Sequence, residues 1–226
     1  AFWNIDGTNQ YTAVQPLTLT GNETDYEAKK AVVQSRTALI ANGSPVALDF
    51  ASFEILQGGA QNDLFEFSGA QTHSVLGGAD EDYFVFDAGA ALSGTIDGQA
   101  GRDTLDYTAG STGAYTTALS FALTGLGSMN GFDGTASQIS GGFTNLAEII
   151  AGAGLDTLSG LDADSIWTVN VHPAYSRYTD TRTLNFALMD TLLGGSGVDQ
   201  FDFADNAALA GSLDGNAGND SLNYAA

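Results

Sequence analysis

Cysteine is absent from the 226 residues. That excludes disulfide staples, thiolate metal sites and a cysteine nucleophile. Basic residues are scarce: 6 Lys and Arg stand against 27 Asp and Glu, a formal charge of −21. Nucleic acid and anionic membrane surfaces are poor partners for such a chain. No apolar run reaches the ~18 residues of a spanning helix, so no membrane span is expected. Ala1-Phe2-Trp3 lacks the basic start and apolar run of a signal peptide. His73 and His172 are the only histidines and lie far apart in sequence, and neither H-E-x-x-H nor G-x-S-x-G occurs.

What is present is repetition. Residues 193–226 nearly reprint residues 76–109 at a constant offset of 117. Inside each copy a Gly-rich turn leads to an Asp: Asp63, Asp82, Asp103, Asp156, Asp199 and Asp220. The gaps are 19, 21, 53, 43 and 21, so the two long gaps are expected to hide degenerate turns. Two residues after each Asp stand Phe65, Phe84, Leu105, Leu158, Phe201 and Leu222. Four after, in five of the six, stand Phe67, Phe86, Tyr107, Phe203 and Tyr224. Seven before stand Leu56, Val75, Ile96, Ile149, Leu192 and Leu213. Such alternation is a strand with one buried face. Its recurrence predicts an all-β fold, a right-handed parallel β-solenoid with about 20 residues per coil. With 29 Gly, 13 Phe and 8 Tyr, the composition suits ladders and turns, not a disordered acidic tail.

The turns GGSGVDQFDF at 194–203 and GSLDGNAGNDSLNY at 211–224 resemble the GGxGxDxUx nonapeptide of the repeats-in-toxin family, whose parallel β-roll binds Ca²⁺. The order of pieces also resembles the repeat arrays of giant secreted bacterial adhesin-like proteins: Trp167 before those turns, and Trp3 before GGADEDYFVF at 77–86, GTIDGQAGRDTLDY at 94–107 and AGAGLDTLSG at 151–160. The resemblance implies an extracellular or cell-surface bacterial protein. If every coil brings its turn to one edge, the six Asp residues stack in a file. Like charges one coil apart repel unless a cation intervenes, and Ca²⁺ takes six to eight oxygens, some from turn carbonyls. All six are therefore candidate metal ligands. The competing reading is that each Asp accepts hydrogen bonds from its own turn amides. Gln61 and Asp80, where the family has Gly two before the Asp, favour that second reading.

The remaining stretches are read in order. Residues 1–20 read as strands with a turn at Asp6-Gly7, and Trp3, like Trp167, as a core residue. Thr24 to Glu27 is a capping box, and residues 24–42 read as an α-helix inserted into the solenoid. The helix carries Lys29, Lys30 and Arg36, and the second copy has no counterpart. It either covers the open end or side of the β-stack or docks a neighbouring chain. Residues 110–150 read as strands with a turn in GSMNGFDG, and 161–192 as a polar coil with a projecting loop bearing Tyr175, Arg177 and Tyr178.

Function follows from the repetition. Catalysis needs one special pair of groups, whereas these carboxylates recur in every coil. Polysaccharide-active β-helix enzymes commonly use Lys or Arg, and outside the inserted helix only Arg102, Arg177 and Arg182 remain. The chain therefore reads as a non-catalytic, calcium-stabilised structural or adhesive segment of a large surface protein. The alternatives are a self-assembling filament or surface-layer subunit and a polysaccharide-active enzyme. Neighbouring copies or repeats, end to end, and surface glycans are the expected partners. The single elongated unit over 1–226 opens at the Trp-bearing point of the long repeat and stops partway through another. It is expected to be a mature fragment or an excerpt, with an open final strand at SLNYAA.

Overall fold

A computed structural model describes residues 2–5, 10–13, 46–49, 52–108, 110 and 112–224. Among them there is no helix; the fold is all-β. The helix expected over 24–42 lies outside the described residues. The chain opens with a meander: β1 (Phe2–Ile5), β2 (Gln10–Ala13) and β3 (Val46–Asp49). There follow β4 (Ile55–Gln57), β5 (Leu64–Phe67), β6 (Ala70–Gln71), β7 (Ser74–Ala79), β8 (Tyr83–Phe86), β9 (Ala91–Leu92), β10 (Ile96–Ala100) and β11 (Thr104–Asp106). A second meander holds β12 (Ser120–Leu126), β13 (Phe132–Ala136) and β14 (Ile139–Leu146), and β15 (Glu148–Ile150) and β16 (Thr157–Ser159) come next. The third meander is β17 (Ser165–Val169), β18 (Ala174–Arg177) and β19 (Thr183–Ala187), before β20 (Thr191–Leu193), β21 (Asp199–Phe203), β22 (Leu213–Asp214) and β23 (Ser221–Tyr224).

These strands build two open sheets. The first runs β23-β21-β17-β18-β19-β15-β11-β8-β5-β1-β2-β3 and the second β22-β20-β16-β12-β13-β14-β10-β7-β4, with β6 and β9 beside it. The chain crosses from one sheet to the other and pairs in parallel with the strand of the circuit before. Every antiparallel pairing lies inside a meander.

The apolar alternation sets the register. Phe65 pairs Phe84 and Phe67 pairs Phe86 across a parallel ladder, as their spacing predicts. Their rings stack with centroids 5.3 and 4.6 Å apart, close to the ~4.8 Å between strands. Leu56, Val75 and Ile96 form the matching row in the second sheet. Both rows face one core between the sheets, and Phe65, Phe84, Val75 and Ile96 are fully buried there. Trp167 is fully buried and stacks on Phe201 at 5.4 Å; Trp3, half-buried, stacks on Phe65 at 5.7 Å. Trp167 is a core residue, as expected, whereas Trp3 is partly buried and packs against the core.

The uniform period of about 20 residues does not hold throughout. It holds at Asp63, Asp82 and Asp103 and again at Asp199 and Asp220. Between them, Leu158 pairs Leu192 and Trp167 pairs Phe201, both 34 residues on. The added length is the meander β17–β18–β19. Period-two alternation is the same in parallel and antiparallel strands, so the pattern could not reveal these reversals. The first and third meanders correspond: β1 and β17 each pair in parallel with the following Phe strand and antiparallel with the next strand of the meander. The sequence insertion falls between β2 and β3, where the third meander has only residues 178–182.

Candidate metal centre

The six candidate ligands do not form one file. Asp63, Asp82 and Asp103 stack at the start of β5, β8 and β11, and Asp199 and Asp220 at the start of β21 and β23, all in the first sheet. Asp156 precedes β16 in the second sheet. It stacks on Asp190, whose Oδ2 accepts the Asp156 amide at 2.8 Å. Sequence reasoning missed Asp190, although Asp190-Thr191-Leu192 repeats Asp156-Thr157-Leu158. For the same reason Ile149, seven before Asp156, pairs Leu105 in the first sheet and not the Val75 row.

A residue type separates the two arrangements. Five residues before Asp63, Asp82, Asp103, Asp199 and Asp220 stand Gly58, Gly77, Gly98, Gly194 and Gly215, whereas Ala151 precedes Asp156. A Cβ on Gly77 would lie 2.4 Å from Asp82 Oδ2 and 2.6 Å from the Gly98 carbonyl oxygen. On Gly194 it would lie 2.5 Å from Asp199 Oδ2 and 2.6 Å from the Gly215 carbonyl oxygen. The Asp carboxyl thus packs directly over the backbone of that glycine at Asp82 and Asp199. Two before the Asp, Gly218 has φ 145° and Asp80, where four of the other turns have Gly, φ 69°. Asp tolerates the left-handed region better than most side chains.

The carboxyls of Asp82, Asp103 and Asp220 tie one circuit to the next. The Asp63 amide donates to Asp82 Oδ1 at 2.7 Å, the Asp82 amide to Asp103 Oδ1 at 2.9 Å, and the Asp199 amide to Asp220 Oδ1 at 3.0 Å. The second oxygen serves its own turn in two cases, accepting the Gly59 amide at Asp63 and the Gly195 amide at Asp199. Ser165 Oγ donates to Asp199 Oδ1. Leu119 donates its amide to Asp156 Oδ1 at 2.6 Å. Asp82, Asp103, Asp156 and Asp199 are fully buried and Asp63 nearly so; Asp220, at the end of the stack, is exposed.

Three oxygens stand out. Asp82 Oδ2, Asp103 Oδ2 and Asp156 Oδ2 are buried with no hydrogen-bond partner. Burial pushes the Asp82 carboxyl up to about 8, aided by the carboxyls of Asp103 and Asp63 and opposed by the Asp63 amide. Burial likewise pushes Asp103 up to about 7, with Glu81 and Asp97 adding to it against the Asp82 amide. Asp156 is raised by burial as well. A bare carboxylate in such a place is costly, so a proton or a cation belongs there. For a cation, Asp82 Oδ2 and the Gly98 carbonyl converge over Gly77, and Asp103 Oδ2 and the Asn145 carbonyl over Gly98. That supplies a carboxyl and a carbonyl at each level, a partial set for calcium's six to eight oxygens. Among the described residues no three His, Cys, Asp or Glu side chains gather as a metal cluster.

The other polar candidates are separated. Tyr175 is fully buried against Trp167, with centroids 4.6 Å apart, and its hydroxyl oxygen accepts the Leu161 amide. Tyr178 is exposed and donates to Gln200 Oε1 at 2.6 Å. Tyr178 is therefore apart from Tyr175, whereas Arg177, two residues on in the same strand, lies on the side of Tyr175 and acts on its hydroxyl. His73 is buried and its pKa lowered by that burial, against a rise from Glu54; His172 is exposed. Among the described residues no helix is long and apolar enough to cross a membrane. No family model, curated protein or solved structure matches the chain.

Proposed function

We propose that this chain is a right-handed β-solenoid segment of a structural or adhesive extracellular bacterial protein, non-catalytic and stabilised by calcium. The observation that carries the reading is the repeated joint, an Asp carboxyl holding the amide of the Asp one circuit away at 63/82, 82/103 and 199/220. A group used identically at successive levels serves the stack and not a single reaction centre. Calcium enters at the partnerless oxygens of Asp82 and Asp103, where it would replace a proton. The test is thermal unfolding in chelator and in millimolar Ca²⁺. Binding only to the folded state raises the melting temperature. Calcium should raise it, and Asp82→Asn should reduce the gain. A melting temperature indifferent to both additions returns the aspartates to amide capping alone.

A second reading, the self-assembling filament, is favoured by the final strand. β22 and β23 end their sheets, Leu222 and Tyr224 are 61% and 63% exposed, and with Phe203, Leu209 and Leu213 they line an apolar groove of about 330 Å³. Open strand edges are templates for further strands. In that reading successive chains or repeats stack end to end.

A further inference from the structure

We propose that Asn130 is a site of self-modification, where the Gly131 amide nitrogen closes on the Asn130 side chain and converts it to aspartyl and isoaspartyl residues. The pair stands in the loop 127–131 between β12 and β13. A glycine after an asparagine has no side chain to keep its amide away from the carboxamide. The fold adds the approach. The Gly131 amide donates to Asn130 Oδ1 at 2.7 Å, which holds that nitrogen beside the carbon it must attack. Gly131 has φ 50°, and a Cβ there would lie 2.1 Å from the Leu146 carbonyl oxygen, so only glycine fits. Asn130 is half-buried and Met129 beside it is 61% exposed, so water reaches the loop. In the reaction the Gly131 nitrogen loses its proton to solvent hydroxide and bonds to Asn130 Cγ. The Cγ–Nδ2 bond breaks, and the amide nitrogen takes up a proton and leaves as ammonia. Water then opens the succinimide at either carbonyl. One opening gives Asp; the other routes the main chain through Cβ and Cγ and lengthens it by a methylene.

The loop braces a buried residue. Asn145, 2% exposed, accepts the Met129 and Asn130 amides on Oδ1 at 2.9 and 3.3 Å. It donates Nδ2 to Asp97 at 2.7 Å and its own amide to Asp133 at 3.0 Å. Its carbonyl is the one that converges with Asp103 Oδ2 over Gly98. Arg182 reaches the same loop, Nη1 donating to the Gly127 carbonyl at 2.6 Å. The loop closes with the Gly127 amide on the Gly131 carbonyl at 3.1 Å, a fit that an extra methylene breaks. Either product also adds a carboxylate to Asp97 and Asp133 around Asn145. Conversion therefore loosens the loop, the hold on Arg182 and the Asp103 level of the first file. Asn145 and Asn170 supply the contrast. They precede Leu146 and Val171, and Asn170 Oδ1 takes the amide of His172, not that of the next residue.

The test holds the folded chain in mildly alkaline buffer and maps the tryptic peptide 103–177 by mass spectrometry. That peptide carries Asn130, Asn145 and Asn170, whereas the other Asn-Gly pair, at 42–43, falls in a different one. Asn130 should exchange amide for acid at least as fast as in guanidinium, and on the order of tenfold faster than Asn145 and Asn170. An isoaspartyl methyltransferase should label the product. In converted chains trypsin should cut after Arg182 on the order of tenfold faster, and the Met129 amide should exchange faster with solvent, as a braced loop opens. Asn130→Gln, whose longer side chain closes far more slowly, should stay unconverted and keep the slow cleavage through the same incubation. An Asn130 that keeps its amide in the folded chain and loses it in guanidinium would show that the fold protects the pair, and would overturn the proposal. Conversion that leaves Arg182 cleavage and Met129 exchange unchanged would overturn the loosening.

Discussion

Residues 76–107 and 193–224 are the same structure at the inner face and different structures at the outer one. Inward, contact follows contact at the offset of 117. Phe84 pairs Leu105 and Phe201 pairs Leu222; Phe86 stacks on Tyr107 at 5.0 Å and Phe203 on Tyr224 at 5.8 Å. Asp97 Oδ1 accepts the Gln99 amide at 2.9 Å, as Asp214 Oδ1 does that of Asn216. Outward, YFVF becomes QFDF. The repeat therefore preserves what stacks and leaves free what each circuit shows to its surroundings. The first copy lies between described strands on both sides, and the second includes the last described strands, β22 and β23.

The largest expected effect tests the inward identity. Phe84→Ala opens a cavity between Phe65 and Leu105 and should cost about 3–5 kcal/mol in chemical denaturation. Phe201→Ala should cost less, because its neighbour Leu222 is exposed. Equal losses at both sites would mean that the second copy is covered after all.

The next effect concerns the glycine under each Asp. Gly77→Ala and Gly194→Ala each place a Cβ within 2.6 Å of two oxygens, so each should cost about 1–3 kcal/mol by overpacking. Ala151→Gly, at the corresponding place before Asp156, relieves nothing and should cost about 0.5–1 kcal/mol of backbone entropy. A tolerated Gly77→Ala would show that the carboxyl does not lie over that backbone.

The fold was legible in the sequence wherever the side-chain period and the Asp turn coincide. The ladder from Phe65 to Phe84 and the core place of Trp167 could be read directly. The sheet of Asp156 could not be read from its spacing alone. A Gly-rich turn looks alike on either sheet, and Asp-Thr-Leu stands on both, at 103 in the first and at 156 and 190 in the second. The joint itself was half legible. Turn amides were expected as partners, and Gly59 and Gly195 supply them, but the cross-circuit amide needs knowledge of which circuit is adjacent. The outer face was legible as polar or apolar residues, but the alternation does not say which outer faces are covered.

A pH effect separates a proton from a cation in the first copy. The folded-state pKa of Asp82 is raised to about 8 from 3.8, so the folded chain keeps a proton that the unfolded chain loses. In chelator, stability should be full below about pH 4 and fall as pH rises through about 8. The slope should be at most on the order of 1.4 kcal/mol per pH unit for this group. Asp82→Asn should flatten that part of the profile, and Ca²⁺ in place of the proton should remove it. A wild-type profile in chelator that is level from pH 4 to 9 would show that burial does not hold the proton there.

The central claim is that the aspartates bind circuit to circuit, and amide hydrogen exchange tests it most directly. Asp103→Ala should speed exchange at the Asp82 amide, and Asp220→Ala at the Asp199 amide, each by roughly fivefold or more, as loss of a hydrogen bond of about 1 kcal/mol requires. Amides of the same strands that bond backbone carbonyls should change less. If both Asp amides exchange at the wild-type rate in chains that keep their β-sheet circular dichroism, the carboxyls do not join the circuits and the account fails.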